Sequence, residues 1–175
     1  MNKIIRVGEK VPGYNYPVVN EREVRATAGL MLLVGIVTLF LIQTYKIYEV
    51  IYFTVGLFLI EFFLKTVIGP HASPFSVISR LIIKKQEPDY VGAIQKKFAW
   101  ALGLVMATFM FIITFGFQMK GVLPLSICFA CLTLMWLEAA FGICIGCKIY
   151  WYLVKKKILT EPKYRPKCSG NSCSL

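Results

Sequence analysis

Residues 141–152 read FGICIGCKIYWY. Cys144 and Cys147 stand three apart, flanked by glycines. A second such pair, Cys128 and Cys131, lies upstream. In a soluble protein two C-x-x-C pairs at this separation point to a zinc site. In a membrane helix they cannot, because a helix rises about 1.5 Å per residue and would hold Cys131 and Cys144 about 20 Å apart. Zinc–sulfur bonds are only about 2.3 Å long. The reading of this stretch therefore decides the fold, and its surroundings decide the reading.

Those surroundings are apolar. Of the 175 residues 57% are hydrophobic, and the mean hydropathy is +0.65. The apolar residues form runs: Ala26 to Tyr45, Phe98 to Met119 and Gly121 to Leu137 carry no charge, and Ile47 to Ile68 is interrupted by Glu49, Glu61 and Lys65. A spanning helix needs about 20 apolar residues, and lipid forces the backbone to pair within itself. The expected fold is an all-α membrane protein, a four-transmembrane-helix bundle. Its helices are expected at about 24–45, 47–69, 96–118 and 125–154, after a polar lead over 1–23 and before a Cys-containing tail over 155–175. The polar first 25 residues, with Pro12 and Pro17, lack the apolar core of a signal peptide. The final Ser-Cys-Ser-Leu places Cys173 one position too late for prenylation.

The net charge of +11 raises the question of nucleic acid. Its distribution answers that question. Of 20 Lys and Arg, 18 fall in the N-terminal segment, around the connection between helices 2 and 3, or at the C-terminal end. Lys46 and Lys120 alone occupy the other two connections. This is the positive-inside pattern. It places both termini in the cytoplasm and assigns the charge to topology and anionic lipid, not nucleic acid. The connection HASPFSVISRLIIKK spaces Phe75, Val77, Ile78, Leu81 and Ile82 as an amphipathic helix, with Arg80, Lys84 and Lys85 elsewhere and a Ser73-Pro74 cap. Such a helix lies in the cytoplasmic interface; a packed loop helix is the alternative.

The candidate site residues follow from topology. Cys144 and Cys147 lie near the cytoplasmic end of the last helix, where Lys148 favours a thiolate. Cys128 and Cys131 lie near its outer end, and Cys168 and Cys173 in the tail, where cytosolic thiols stay reduced. Glu138 and Glu61 sit within spans, where ionisable groups are functional candidates. Glu61 has Lys65 four residues on, whereas Glu138 has no partner on its own helix. A bundle can bring the two carboxylates together, sharing a proton or meeting Lys65. His71, the single histidine, offers a base or soft-metal ligand. Gly142 and Gly146 form a small-x-x-x-small face suited to close helix packing, including homo-oligomerisation. Every one of these side chains also has a plain packing or surface explanation.

Four stretches, VNEREVRATAG, GPHASPFSVISRLI, KKFAWALG and LEAAFGICIGCKIY, together resemble a bacterial four-helix integral membrane family described as a domain of unknown function. The resemblance spans roughly residues 20–154. It implies a bacterial inner (cytoplasmic) membrane. The association of some relatives with thioredoxin-like or sulfurtransferase proteins points to such a partner and to thiol or sulfur chemistry. The leading expectation is thiol redox or sulfur handling, with Cys144, Cys147 and Glu138 as the working residues and a quinone as a possible cofactor. A second is transport of a thiophilic metal ion passed among Cys128, Cys131, Cys144, Cys147, Cys168 and Cys173. A third is a structural or assembly protein with packing cysteines.

Overall fold

The computed structural model describes residues 8–119, 121–162, 164 and 166–168. The chain enters through strand β1 (Val18–Asn20), which leads directly into helix α1 (Glu21–Tyr45). Asn20 caps α1, its side chain accepting from the Arg22 N–H at 3.1 Å. Glu21 and Glu23 in the first turn complement the helix dipole. Helix α2 (Glu49–Val67) ends at Gly69, whose φ of 127° favours glycine, followed by a 3-10 turn over Pro70–Ala72. Helix α3 (Pro74–Ile83) precedes strand β2 (Tyr90–Gly92), which opens helix α4 (Ala93–Phe111). A π-helical turn over Ile112–Gly116 extends α4. Helices α5 (Val122–Phe141) and α6 (Ile145–Lys155) complete the described elements.

Four helical stretches are long and apolar enough to cross a membrane: Glu21–Tyr45, Glu49–Val67, Ala93–Gly116 and Val122–Phe141. Their outward faces carry large apolar side chains such as Phe40, Phe53, Val105 and Phe129, each more than half exposed. Water tolerates no such continuous surface, whereas acyl chains do. The bundle thus takes its environment from a lipid bilayer.

The interior is correspondingly polar at its seams. Thr38 of α1 and Thr54 of α2 meet at 2.7 Å between their hydroxyls. Thr27 of α1 donates to Ser79 of α3 at 2.9 Å. Helix α3 turns Ser76 and Ser79 inward and leaves Val77, Ile78, Leu81 and Ile82 exposed. Ser73 makes no side-chain cap; Glu61 of α2 supplies one instead, its Oε2 accepting from the Phe75 N–H at 3.1 Å. The expected Ser73 cap is therefore replaced by a tertiary one.

Two features differ from a plain four-helix reading. Strands β1 and β2 pair antiparallel, Val18 opposite Gly92 and Asn20 opposite Tyr90. The Glu21 N–H donates to Asp89 at 2.7 Å and the Ala93 N–H to Pro17 at 2.9 Å. This ribbon staples the start of α1 to the start of α4. The second difference is the last helix, which is not continuous over 125–154. It breaks at Gly142, which takes a left-handed φ of 66°. The Gly142 N–H donates to the Glu138 carbonyl, the bond of a left-handed (αL) helix stop, and the Ile143 N–H donates to the Leu137 carbonyl. Arg25 of α1 caps the same end, donating to the carbonyls of Ala139 and Ala140 at 3.1 and 2.8 Å.

The tail beyond α6 is partly docked. The Gly92 N–H donates to the Lys167 carbonyl at 2.9 Å, and the Lys167 N–H donates to the Tyr16 hydroxyl at 2.9 Å. Lys167 also pairs with Asp89 at 2.9 Å.

Candidate functional site

The ribbon decides what the first turn of α4 meets. Lys96 is fully buried. Its ammonium lies 2.8 Å from Glu21 Oε2 at the start of α1 and 2.7 Å from Glu138 Oε1 on α5. Three elements thus converge on one cation held between two carboxylates. Burial of an ammonium is tolerable only with such pairing. Glu138 was expected to meet Glu61 or Lys65; its partner is Lys96 instead. Glu61, with no exposed surface, is paired with Lys65 at 3.0 Å. The Lys65 ammonium also stands 5.9 Å from the Trp100 ring centre.

Cys144 and Cys147 adjoin the Lys96 cluster. Each is about 2% exposed, each is a free thiol, and the Lys96 charge acts on both. The break at Gly142 gives this pair its geometry. Cys144 is the N-cap of α6, and the Cys147 N–H donates to Cys144 Sγ at 3.3 Å. A sulfur at this position faces the positive end of a helix. Cys147 differs. Its hydrogen bond with Cys144 and its burial push its thiol well above the ordinary range, against the pull of Lys96. The cation near the pair is Lys96; Lys148, expected in that role, is exposed.

Gly146 packs inside the chain. A Cβ there would stand 2.6 Å from Ala99 Cβ and 2.8 Å from Ala99 Cα. Gly142 is outside any helix. The expected Gly142/Gly146 oligomerisation face is thus an internal contact of α6 on α4 at Gly146 and a chain break at Gly142. Gly146→Val should push α6 off α4 and separate the cysteines from Lys96. Overpacking of this kind costs about 1–3 kcal/mol. The expected readout is a lower melting temperature together with faster maleimide labelling of Cys144; unchanged labelling would sever the link between packing and thiol burial.

The other expected residues are dispersed. Cys128 and Cys131 are half-buried on α5 and line an apolar cavity of about 350 Å3 that also touches Cys144 and Glu138. The separation computed for a straight helix does not apply, because the helix is broken at Gly142, and Cys128, Cys131 and Cys144 open on one cavity. His71 lies elsewhere, half exposed, its Nε2 3.5 Å from Glu9. It lines a separate cleft with Glu23, Lys65 and Arg80. Cys168 is disulfide-bonded, contrary to the expectation of a reduced tail. It lies 3.7 Å from the Gln95 side-chain amide. Cys173 lies outside the described residues. Among the described residues, no three or more His, Cys, Asp and Glu side chains gather closely enough to hold a metal ion.

Sequence reasoning missed Lys96 and Glu21. Lys96 counted as one of many membrane-edge cations. A signal was available: Lys96 and Lys97 are adjacent in a helix, about 100° apart, so the two cannot face the same surroundings.

These features define a polytopic α-helical membrane protein with a buried dithiol set against a buried lysine–glutamate cluster. The chain belongs to the family described as Domain of unknown function (DUF4395), whose model matches residues 19–155. No curated protein and no solved structure matches it significantly.

Proposed function

We propose that this chain is a membrane thiol-redox protein in which Cys144 is the attacking thiol and Cys147 the resolving one. The observation that carries this reading is Cys144 at the N-cap of α6, its sulfur accepting from the Cys147 N–H beside buried Lys96. Cys144 as thiolate attacks a sulfur of a substrate disulfide or persulfide, and the departing sulfur leaves with its electron pair. Cys147 then loses its proton and attacks Cys144 Sγ, closing the Cys144–Cys147 disulfide and expelling the sulfur held there, as the second thiol of a substrate disulfide or as hydrogen sulfide from a persulfide. Glu138 and Lys96 are placed to take up and return the protons. A thioredoxin-like or sulfurtransferase partner fits this exchange. Because both sulfurs are buried, such a partner requires α6 to swing at Gly142.

In this reading the chain sits in a bacterial inner membrane with both termini cytoplasmic, following the distribution of its Lys and Arg. Helix α3 lies in the interface, its exposed Val77, Ile78, Leu81 and Ile82 in lipid. One observation favours a second reading, passage of a thiophilic ion: Cys128, Cys131 and Cys144 share one cavity.

Serine substitutions separate the readings. Cys147→Ser should accumulate a mixed disulfide on Cys144, and Cys144→Ser should abolish it, while Cys128→Ser retains exchange. In wild-type protein Cys147 should alkylate slowly even near pH 9, since its raised thiol releases its proton only above the ordinary thiol range. Loss of function in Cys128→Ser equal to that in Cys144→Ser would favour the ion conduit. Full function in every serine variant would leave the cysteines as packing.

A further inference from the structure

The redox pair has almost no exposure, yet Cys144 has an opening. It lines the cavity of about 350 Å3 that lies among α1, α2, α4, α5 and α6. Cys147 does not line it. Whatever reaches Cys144 without moving the backbone must therefore fit that cavity. Its walls include Phe58, Phe62, Trp100 and Met106. Among its described lining residues, Glu138 is the one that carries charge, and it is held at 2.7 Å by Lys96. The volume falls in the range of small-molecule sites, about 300–1,000 Å3. An apolar cavity among spanning helices, ending at a thiol and a buried lysine–glutamate pair, matches a flat, lipid-soluble, two-electron acceptor.

We infer that the cavity is the site of a quinone, which oxidises the Cys144–Cys147 dithiol; this rests on the thiol-redox reading above. The step balances. Cys144 thiolate adds to a ring carbon of the quinone, forming a carbon–sulfur bond. Cys147 thiolate attacks Cys144 Sγ, the sulfur–sulfur bond forms and the carbon–sulfur bond breaks, its electron pair passing to the ring. The two thiols lose two electrons and two protons, and the quinone gains both as hydroquinone. The protons given up by the two thiols pass to the ring oxygens, and Glu138, a carboxylate in its pair with Lys96, is the lining group placed to relay them. The disulfide so formed is reopened by the exchange above run in reverse: a thiolate of a substrate dithiol attacks Cys144 Sγ, its second thiolate closes the substrate disulfide, and the Cys144–Cys147 dithiol is restored.

The test uses full-length protein in lipid nanodiscs, reduced, freed of reductant and kept anaerobic. Decylubiquinone is added, and quinone absorbance and the Cys144–Cys147 disulfide, by peptide mass spectrometry, are followed together. The expected result is one quinone reduced per disulfide formed. Ala107→Trp, which fills the cavity wall, should slow this by about tenfold or more. Independently of that variant's folding, decylubiquinol should protect wild-type Cys144 from N-ethylmaleimide while n-undecane does not. Equal protection by n-undecane would assign the cavity to acyl chains and overturn the inference, as would an unslowed, folded Ala107→Trp. If diamide forms the Cys144–Cys147 disulfide in wild-type protein but decylubiquinone does not, the quinone site fails and the redox reading stands. If neither reagent forms it, both fail.

Discussion

Lys96→Met is expected to be the most damaging single substitution in the chain. It removes the cation that lies 2.8 Å from Glu21 and 2.7 Å from Glu138, leaving two carboxylates close together with little solvent. Removing one partner of a buried ion pair costs about 3–5 kcal/mol, because the remaining charge has lost its compensation. The loss should appear as a large drop in the thermal or detergent-denaturation midpoint. Combining it with Glu21→Gln and Glu138→Gln should recover much of it, since neutral amides no longer repel. A triple variant as unstable as Lys96→Met would show that lysine packing, not charge, holds α1, α4 and α5 together. Thiol exchange offers a second readout. Loss of Lys96 withdraws the cation acting on Cys144 and Cys147, so the triple variant, even when folded, should exchange more slowly at neutral pH.

The second large effect is expected at Glu61. Its two oxygens have separate tasks: Oε1 pairs with Lys65 and Oε2 caps α3 through the Phe75 N–H. Glu61→Leu deletes both and leaves Lys65, about 4% exposed, without that partner. The expected cost is again about 3–5 kcal/mol. Glu61→Gln should be milder, because an amide oxygen still accepts from Phe75. Proteolysis within 84–89, the connection after α3, reports the cap separately. It should rise in Glu61→Leu and stay low in Glu61→Gln. Equal proteolysis in the two variants would show that the Phe75 hydrogen bond does not anchor α3.

The shape of the candidate site explains why parts of it were hidden. The Glu61–Lys65 pair was legible, because a spacing of four on one helix needs no tertiary information. So were Cys144, Cys147 and Glu138 as candidates, the cysteines by their C-x-x-C spacing and the glutamate by its charge within an apolar run. The partner of Glu138 was not legible. Lys96 lies 42 positions away, and it meets Glu138 only because α4 is stapled beside α1 by the β1–β2 ribbon. That ribbon has three residues in each strand, too short for alternation to register. The break at Gly142 was hidden for another reason. Residues 125–154 are apolar enough throughout to read as one helix, and glycine alone does not end a helix in a membrane. The stop is set by Arg25, reaching from α1 to the carbonyls of Ala139 and Ala140.

By itself, then, the sequence determined four spanning helices, because run length and the need to pair backbone groups in lipid leave little alternative. The tertiary structure decided which of their polar groups meet. It broke the last helix so that Cys144 became a cap rather than a mid-helix side chain. It also buried Lys96 between two glutamates and set Cys144 in the wall of one apolar cavity. Each of these depends on groups from different helices meeting in a low-dielectric interior, where a charge or thiol is defined by what faces it and not by its neighbours in the chain.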